Sequence, residues 1–455
     1  MLNSLNLQNA PENSQGFPLS AAELLSQLIA SNGARITVVG QGYVGLPLAV
    51  AFGQAGFHVT GFDTNLERVS SLNRGKSPTP DVPDEDLERL SSEGLYRASS
   101  DFLALAESDV ILICVPTPLR KSKDPDISYV LSVAESIGKI LRPGQLVILE
   151  STTYPGTTEE LLLPLFEANG LKAGTDFFLA FSPERIDPGN TQFQVEDIPK
   201  VTGGITPHCT ALAAQLYRRI VTKVLEVSNP KVAELAKLYE NVFRNVNIAL
   251  ANEFAIMCRQ LGVETREVIN AAATKPFGFM AFYPGPGIGG HCIPVDPAYL
   301  AWKMRFSNYN ARFISLAEEV NQGMPGYVMQ LLTDALNKMQ KCLQGTRVLV
   351  LGVAYKKGVG DTRESPSLHI IGDLLAKGML VSYADPHVPA VTVDDHAMQA
   401  VELNAAALAK ADCVLILTDH DDFDYQLVID NVPLIIDTRG ATWGKSTGKA
   451  TIVRL

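Results

Sequence analysis

The sequence places a cysteine, Cys292, in the glycine-rich segment Gly287-Ile288-Gly289-Gly290-His291-Cys292. Pro294 and Asp296 follow it and favour the start of a helix. A thiol near a helix N-terminus has a stabilised thiolate and is a better nucleophile at neutral pH. The glycines would also let a bulky ligand approach the backbone. We therefore predict covalent chemistry on a substrate carbonyl, against the alternative of a small buried side chain.

A second group of chemically useful side chains lies on a long helical pattern over residues 231–261. Glu234, Lys237 and Asn241 are spaced i, i+3 and i+7, so they share one face of that helix. A lysine and an asparagine aimed in one direction could stabilise an alkoxide or oxyanion. The alternative is that these polar residues face solvent.

Charged residues also follow two strand-like segments. Ser182-Pro183-Glu184-Arg185 follows the apolar segment 177–181, which places Glu184 at a strand end, where a carboxylate could orient water or act as a base. Lys356, Lys357 and Arg363 follow the segment 347–352 and offer cations suited to a diphosphate. A solvated charged loop is the alternative interpretation of that second group.

The elements that must position these residues begin with a glycine turn, Gly40-Gln41-Gly42-Tyr43-Val44-Gly45, between a predicted strand at 35–39 and a helix at 46–55. Its glycines permit a tight turn, backbone approach to a pyrophosphate, and close packing of helix on strand. Asp63 lies 18 residues past Gly45, where a carboxylate accepts from ribose hydroxyls and would repel a 2′-phosphate. The pattern predicts an NAD site, and a turn without ligand is the alternative.

Strand and helix patterns alternate after this turn, and a weak copy of the series returns near the C-terminus. The second copy has Val353-Ala354 where the glycine turn would be. Its second strand ends at Asp385, just as the second strand of the first series ends at Asp63. We predict an α/β protein with two Rossmann-like, doubly wound parallel-sheet domains joined by a long central helix. The predicted divisions are a peripheral extension (1–32), an NAD-binding domain (33–227), a central helical region with Cys292 (228–330) and a second Rossmann-like domain that carries the cations suited to a diphosphate (331–455).

Composition limits the class of partner. The 455 residues carry a formal net charge of −11, which disfavours nucleic acid and anionic membranes as partners. The six cysteines are scattered without a Cys-x-x-Cys pair, as in a reducing compartment. No Lys or Arg precedes Arg35 and no stretch reaches membrane-spanning length, so we expect a cytoplasmic protein.

Several rare motifs occur together and in order: Gly40-Gln41-Gly42-Tyr43-Val44-Gly45, Val115-Pro116-Thr117-Pro118, Glu150-Ser151-Thr152-Thr153-Tyr154-Pro155-Gly156, Phe181-Ser182-Pro183-Glu184-Arg185, Gly289-Gly290-His291-Cys292-Ile293-Pro294-Val295-Asp296-Pro297 and Gly360-Asp361-Thr362-Arg363-Glu364-Ser365-Pro366. Over about residues 34–445 the chain resembles the UDP-glucose/GDP-mannose dehydrogenase family of nucleotide-sugar 6-dehydrogenases. The resemblance implies oxidation of a C6 alcohol to a carboxylate with two NAD⁺ per sugar, through a thiohemiacetal and a thioester on cysteine.

The resemblance also implies roles for residues that match the family's motifs, with no metal. The catalytic set is Cys292, Lys237, Asn241, Asp296, Glu184 and Thr152. The cofactor-binding set is Gly40, Gly42, Tyr43, Val44, Gly45, Asp63, Arg68, Thr117, Thr152 and Arg363. The substrate-binding set is Glu184, Arg185, Lys237, Asn241, Arg244, Phe282, Tyr283, Gly287, Gly289 and Lys356.

Three departures from the UDP-glucose type are Pro188, His291 and Arg244, and the segments 274–279 and 283–287 look like the branch that acts on UDP-N-acetylhexosamines. UDP-N-acetylglucosamine is therefore the preferred substrate. UDP-glucose, UDP-N-acetylmannosamine and GDP-mannose are alternatives. A two-electron β-hydroxyacid dehydrogenase or a non-catalytic NAD-responsive module would not need Cys292. The long helix also predicts a homodimer or higher homo-oligomer.

Overall fold

The computed structural model describes residues 19–79, 81–120, 122–185, 195–446, 448 and 450–455. The predictions made for residues 1–18 and for Pro188 lie outside these ranges. The chain divides into two compact units, Met1–Leu238 and Tyr239–Leu455, and the division falls inside one continuous helix. In the described part of the chain, no helix combines the length and apolar character needed to cross a bilayer.

The first unit alternates strands and helices. Its strands are β1 (Arg35–Val39), β2 (His58–Phe62), β3 (Tyr96–Ser99), β4 (Val110–Ile113), β5 (Leu146–Leu149), β6 (Phe178–Phe181), β7 (Lys200–Gly204) and β8 (Val224–Glu226). Its helices are α1 (Ala21–Ala30), α2 (Gly45–Gln54), α3 (Leu66–Asn73), α4 (Asp84–Ser92), α5 (Ser128–Ile140), α6 (Leu163–Glu167) and α7 (Pro207–Tyr217), followed by α8 (Pro230–Leu261), which continues into the second unit.

These strands, as far as the described residues show, form one sheet in the order β3-β2-β1-β4-β5-β6-β7-β8. The order reverses direction beside β1, which is where ligands bind in open α/β sheets. The neighbours from β3 to β6 are parallel, as predicted. One further pair differs in direction, because β7 runs antiparallel to β6. Apolar periodicity marks a strand as buried but carries no information about its direction.

Each face of this sheet has its own core. Val38 and Leu112 point to one face, and their neighbours Val39 and Ile113 point to the other. Both faces are buried, which explains why the strands are continuously apolar rather than alternating.

The described part of the predicted N-terminal extension is not peripheral. Leu25 and Ile29 of α1 belong to the core of the first unit. The Ser26 hydroxyl also donates to the Gln215 side chain of α7 at 2.9 Å. Residues 19–32 are therefore an integral layer of this unit, and the two apolar residues one turn apart were the signal for it.

The second unit repeats the design. Its helices are α9 (Thr265–Ala273), α10 (Asp296–Arg305), α11 (Arg312–Lys338), α12 (Pro366–Ala376), α13 (Ala405–Leu408) and α14 (Tyr425–Asn431). Its strands are β9 (Arg347–Leu351), β10 (Leu380–Ala384), β11 (Ala390–Val393), β12 (His396–Gln399), β13 (Cys413–Ile416), β14 (Leu434–Asp437) and β15 (Thr451–Arg454).

Over the described residues, the second sheet has the order β10-β9-β13-β14-β15, with every neighbouring pair parallel. The turn after β9 matches the turn after β1. Gly352 and Gly40 both have positive φ, at 81° and 95°. Asp385 accepts from the amide of the residue after Gly352, as Asp63 does from the residue after Gly40. The predicted pair of doubly wound domains is confirmed.

The first unit holds its share of α8 through a buried carboxylate. Glu234 accepts from the Gly156 amide at 2.5 Å, the Thr158 amide at 3.0 Å and the Thr158 hydroxyl at 2.7 Å. Burial raises the pKa of Glu234, although these donors oppose the rise. The helix is thereby fixed to the loop that follows β5.

Glu234→Gln should lower the free energy of unfolding by about 2 kcal/mol, because an amide NH₂ would then face a buried donor. Urea unfolding measures the loss. Glu253→Gln, at an exposed position of the same helix, is the matched control and should leave stability unchanged. Equal stability of both variants would contradict this role of Glu234.

Candidate active site

The glycine turn after β1 has the shape that a bound dinucleotide needs. A Cβ on Gly45 would lie 1.8 Å from the Gly40 carbonyl oxygen, and a Cβ on Gly40 would lie 2.5 Å from the Cys114 carbonyl oxygen. Those two glycines are required by the packing of the protein itself. Around Gly42 no atom lies within 4 Å of the same position, so its backbone faces open space where a pyrophosphate fits.

Asp63 completes this site at the end of β2. Its carboxylate accepts from the amides of Gln41 and Asn65 at 2.9 Å and from the Arg68 guanidinium at 2.9 Å. Burial alone would raise the pKa of Asp63, but these donors lower it overall. The group is therefore ionised at neutral pH, with oxygen lone pairs left for ribose hydroxyls. Arg68, predicted to contact the cofactor, binds this carboxylate.

The remaining cofactor-site residues of the first unit lie on three loops. Tyr43 and Val44 lead into α2, Thr117 follows β4, and Thr152 follows β5. The Ser151 hydroxyl donates to the Val115 carbonyl at 2.8 Å and ties the last two loops together. Thr117 and Thr152 are both partly exposed, as residues that meet a ligand at the carboxyl ends of strands should be.

Glu184 lies two residues beyond the buried Ser182 at the end of β6, as predicted. Its carboxylate accepts from the Lys200 ammonium at 3.2 Å and from the Arg185 amide at 2.6 Å. Only 14% of the Glu184 side chain is exposed, so the lysine compensates a largely desolvated charge. Arg185, predicted to bind substrate, donates to the Pro199 carbonyl at 2.7 Å.

Cys292 lies on a loop of the second unit that α8 holds in place. The Asn241 side-chain amide donates to the Asp296 carboxylate at 2.5 Å, and the Asn245 amide donates to the Ile293 carbonyl at 3.2 Å. The Cys292 carbonyl accepts from the Val295 and Asp296 amides, which closes the turn into α10. The cysteine side chain is partly exposed. The structure thus brings three predicted catalytic residues, Asn241, Cys292 and Asp296, into one arrangement.

The polar face of α8 is mostly buried, so the solvent-facing alternative is wrong for Glu234 and Asn241. Lys237 lies between them in sequence and is partly exposed. Among the described residues, the Lys237 side-chain ammonium has no hydrogen bond or ion pair. An ammonium without a protein partner, next to buried polar groups, has its charge available for a ligand.

The glycines before Cys292 are required by the packing of the chain around them. A Cβ on Gly289 would lie 2.8 Å from the Glu364 carbonyl oxygen, and one on Gly290 would lie 2.8 Å from the Tyr355 ring. Gly287 has φ of 128°, and its Cβ would lie 3.2 Å from Pro366. The missing side chains make room for the chain itself, and the approach of a bulky ligand to this backbone stays a prediction.

Other predicted substrate residues fall into two groups in the second unit. Arg244 and Phe282 line an open surface pocket of about 500 Å³ together with Phe243, whose ring lies 5.8 Å from that of Phe282. Tyr283 instead packs under the Arg266 guanidinium at 4.6 Å, and its hydroxyl donates to Asn270 on α9.

The predicted diphosphate cations lie on the loop between β9 and α12. Arg363 forms a bidentate pair with Asp361, with a shortest distance of 2.6 Å, and the pair lowers the pKa of Asp361 against the effect of burial. Lys357 contacts the exposed Asp421 at 3.3 Å. Lys356 is partly buried beside it.

Sequence reasoning missed two residues that make hydrogen bonds at or next to predicted catalytic residues. Asn245 donates to the carbonyl that follows Cys292, and Lys200 donates to Glu184. Asn245 had a usable signal, because Asn241, Asn245 and Asn252 recur at helical spacing although asparagine is a poor helix former. Lys200 had none, because its contact with Glu184 depends on the direction of β7.

The glycine turn allows a matched test. Gly45→Ala should destabilise the protein by about 3 kcal/mol, because its Cβ would overlap a backbone oxygen. Gly42→Ala should keep the native stability but weaken NAD binding by at least about tenfold, because the added methyl blocks approach of the pyrophosphate. Thermal unfolding and NAD titration separate the two effects. Native NAD affinity in Gly42→Ala would contradict the assigned site.

Comparisons with known proteins bear on the family of this chain. Three models of the UDP-glucose/GDP-mannose dehydrogenase family match the chain: the NAD binding domain at residues 34–221, the central domain at 231–323 and the UDP binding domain at 349–443. A UDP-N-acetyl-D-glucosamine 6-dehydrogenase from Pseudomonas aeruginosa is 41% identical over 358 residues, covering 78% of this chain and 83% of that protein.

Two solved structures are similar over nearly the whole chain. A UDP-D-ManNAc dehydrogenase from Pyrococcus horikoshii has a TM-score of 0.84 and 34% identity, covering 92% of this chain and 98% of its own. An NDP-N-acetyl-D-galactosaminuronic acid dehydrogenase from Methanosarcina mazei has a TM-score of 0.78 and 30% identity, covering 96% and 97%. The chain therefore belongs to the UDP-glucose/GDP-mannose dehydrogenase family and is an NAD-dependent nucleotide-sugar dehydrogenase.

Proposed function

We propose that this enzyme oxidises the C6 hydroxyl of UDP-N-acetylglucosamine to a carboxylate, with Cys292 as a covalent nucleophile. The observation that supports it most is the anchoring of the Cys292 loop by the Asn241–Asp296 hydrogen bond. A cysteine with a purely packing role would be buried like Cys114 or Cys413, whereas Cys292 is partly exposed on a loop fixed from both sides. That is the setting a nucleophile requires.

In the proposed mechanism, the Lys237 ammonium and the Asn241 amide stabilise the negative oxygen that develops at C6 during the first oxidation. Bound NAD⁺ supplies the hydride acceptor for each of two oxidations. The Cys292 thiolate then forms a C–S bond with the C6 aldehyde, and the resulting thiohemiacetal oxygen meets the same two groups. Loss of the second hydride from C6 leaves a thioester on Cys292.

Hydrolysis completes the proposed cycle. Glu184 takes a proton from water as the water oxygen bonds to the acyl carbon, the C–S bond breaks, and Cys292 leaves as a thiolate. Asp296 assists proton transfer near the cysteine, and Thr152 orients water or substrate. One sugar alcohol, two NAD⁺ and one water thus give one carboxylate, two NADH and three protons.

The choice of substrate rests on the second unit and on the relatives. The family's UDP binding domain matches residues 349–443, which include Lys356 and Arg363. The Pseudomonas aeruginosa relative is named for UDP-N-acetyl-D-glucosamine. The segments 274–279 and 283–287 fit an N-acetylhexosamine substrate. The predicted boundaries at 33–227, 228–330 and 331–455 and the predicted homodimer remain part of this proposal.

Cys292→Ser should retain NAD binding but lose carboxylate product, because a serine hydroxyl does not form the thioester that hydrolysis requires. The native enzyme should release about two NADH per sugar, whereas a simple alcohol dehydrogenase would release about one. Absorbance of NADH and mass spectrometry of the sugar measure both. Cys342→Ser, at an exposed position, is the control and should turn over normally. Full production of uronic acid by Cys292→Ser would refute the assignment.

Among UDP-N-acetylglucosamine, UDP-N-acetylmannosamine, UDP-glucose and GDP-mannose, the first should give the highest kcat/KM, by at least about tenfold, which corresponds to about 1.4 kcal/mol of transition-state binding. Product analysis with each sugar under identical conditions is the measurement. A higher kcat/KM for any of the other three sugars would transfer the assignment to that substrate.

A further inference from the structure

A cluster of buried charges lies beside Glu184 and has no part in the mechanism above. The Lys200 ammonium donates to the Glu150 carboxylate at 2.7 Å, to the Glu184 carboxylate at 3.2 Å and to the Pro183 carbonyl at 3.3 Å. The Tyr217 hydroxyl donates to the other oxygen of Glu150. All three lysine donors are therefore used, and two carboxylates share one cation.

The reversed strand makes this arrangement possible. Phe181 of β6 pairs with Gly203 of β7, and the same antiparallel register continued outward sets Lys200 opposite Glu184. Glu150 follows the adjacent β5, so its side chain reaches the same edge of the sheet. The first residue of β7 thus lies among the carboxyl ends of its neighbours, where the predicted hydrolytic base also lies.

Charge balance in this cluster depends on protonation. The Glu150 side chain is fully buried and that of Lys200 is 7% exposed, so with every group ionised the cluster carries one surplus negative charge away from water. Burial raises the pKa of Glu150 to about 7, against the effect of Lys200. Burial would lower the pKa of Lys200, but the two carboxylates raise it, so the lysine stays charged.

Among the residues that the structure describes, Tyr217 and Cys114 are further titratable groups that face Glu150. Burial raises the pKa of both, so each keeps its proton. Glu150 is therefore the member of this described cluster that gains or loses a proton near neutral pH, and the partly exposed Glu184 lies across the lysine from it.

We propose that Glu150 and Lys200 are positioning residues that set both the place and the basicity of Glu184. The inference rests on the proposed role of Glu184 in thioester hydrolysis. While Glu150 is ionised, it shares the positive charge of Lys200, and Glu184 remains a competent base. Once Glu150 is protonated, that charge acts on Glu184 alone and weakens its ability to take a proton from water.

Glu150→Gln tests this directly, because glutamine has nearly the same shape and leaves Lys200 paired with Glu184. The acyl-enzyme on Cys292 should be hydrolysed about tenfold more slowly at neutral pH, and the midpoint of the hydrolysis rate should move to lower pH by about one unit. Acid quenching followed by intact-protein mass spectrometry measures the acyl-enzyme at each pH. The rate of the first NADH release should stay native.

A second variant should shift the pH midpoint of hydrolysis in the opposite direction. Glu150→Gln combined with Lys200→Met removes both fully buried charges, and Glu184 keeps the Arg185 amide and its contact with solvent, so the variant should fold. Without the lysine, the midpoint for hydrolysis should lie above that of Glu150→Gln alone. Lys76→Met, which breaks an exposed pair with Asp84, is the control and should keep the native pH profile.

A native pH profile in Glu150→Gln, or equal losses in NADH release and hydrolysis together with a lower melting temperature, would overturn the inference and leave a structural role only. A native enzyme that forms no acyl-enzyme on Cys292 with any nucleotide sugar would instead overturn the proposed function on which the inference rests.

Discussion

The hydrogen bond between the Asn241 amide and the Asp296 carboxylate is the constraint on which the arrangement of the second unit's predicted catalytic residues depends. Asp296 is 2% exposed, and a buried carboxylate without a donor would be strongly destabilising. The bond therefore fixes the start of α10 against α8. Cys292 lies four residues before that start, in a turn that its own carbonyl closes. The position of the thiol is thus determined by the contact of its loop with α8 rather than by the loop alone.

The same helix is also anchored in the first unit, where Glu234 caps the loop after β5 with three hydrogen bonds. Helix α8 thus carries Glu234, Lys237 and Asn241 at spacings that place them on one face. Side chains placed on a helix keep their spacing better than side chains on loops, which suits groups that must stabilise a developing charge. The low helix propensity of Asn241 and Asn252 is tolerated because each makes a buried side-chain hydrogen bond.

How much of this could be predicted from sequence differs from residue to residue. The turn at Gly40–Gly45, Asp63 at the end of β2 and the long helix follow local rules of spacing, so their prediction required no knowledge of distant contacts. The contact between Lys200 and Glu184 does not follow from local spacing, because it depends on the reversed direction of β7. The packing role of the glycines at 289 and 290 could not be predicted for a related reason, since Tyr355, which lies against them, is more than sixty residues away.

The proton held by Glu150 has a consequence for the fold as a whole. Its ordinary pKa is 4.5, and the folded value is about 7, so between these values the native protein keeps a proton that the unfolded chain releases. This group's contribution to conformational stability consequently declines as pH rises through that window. Glu150 thus stabilises the first unit least at the neutral and higher pH where its ionisation is proposed to keep Glu184 basic, an exchange of conformational stability for reactivity.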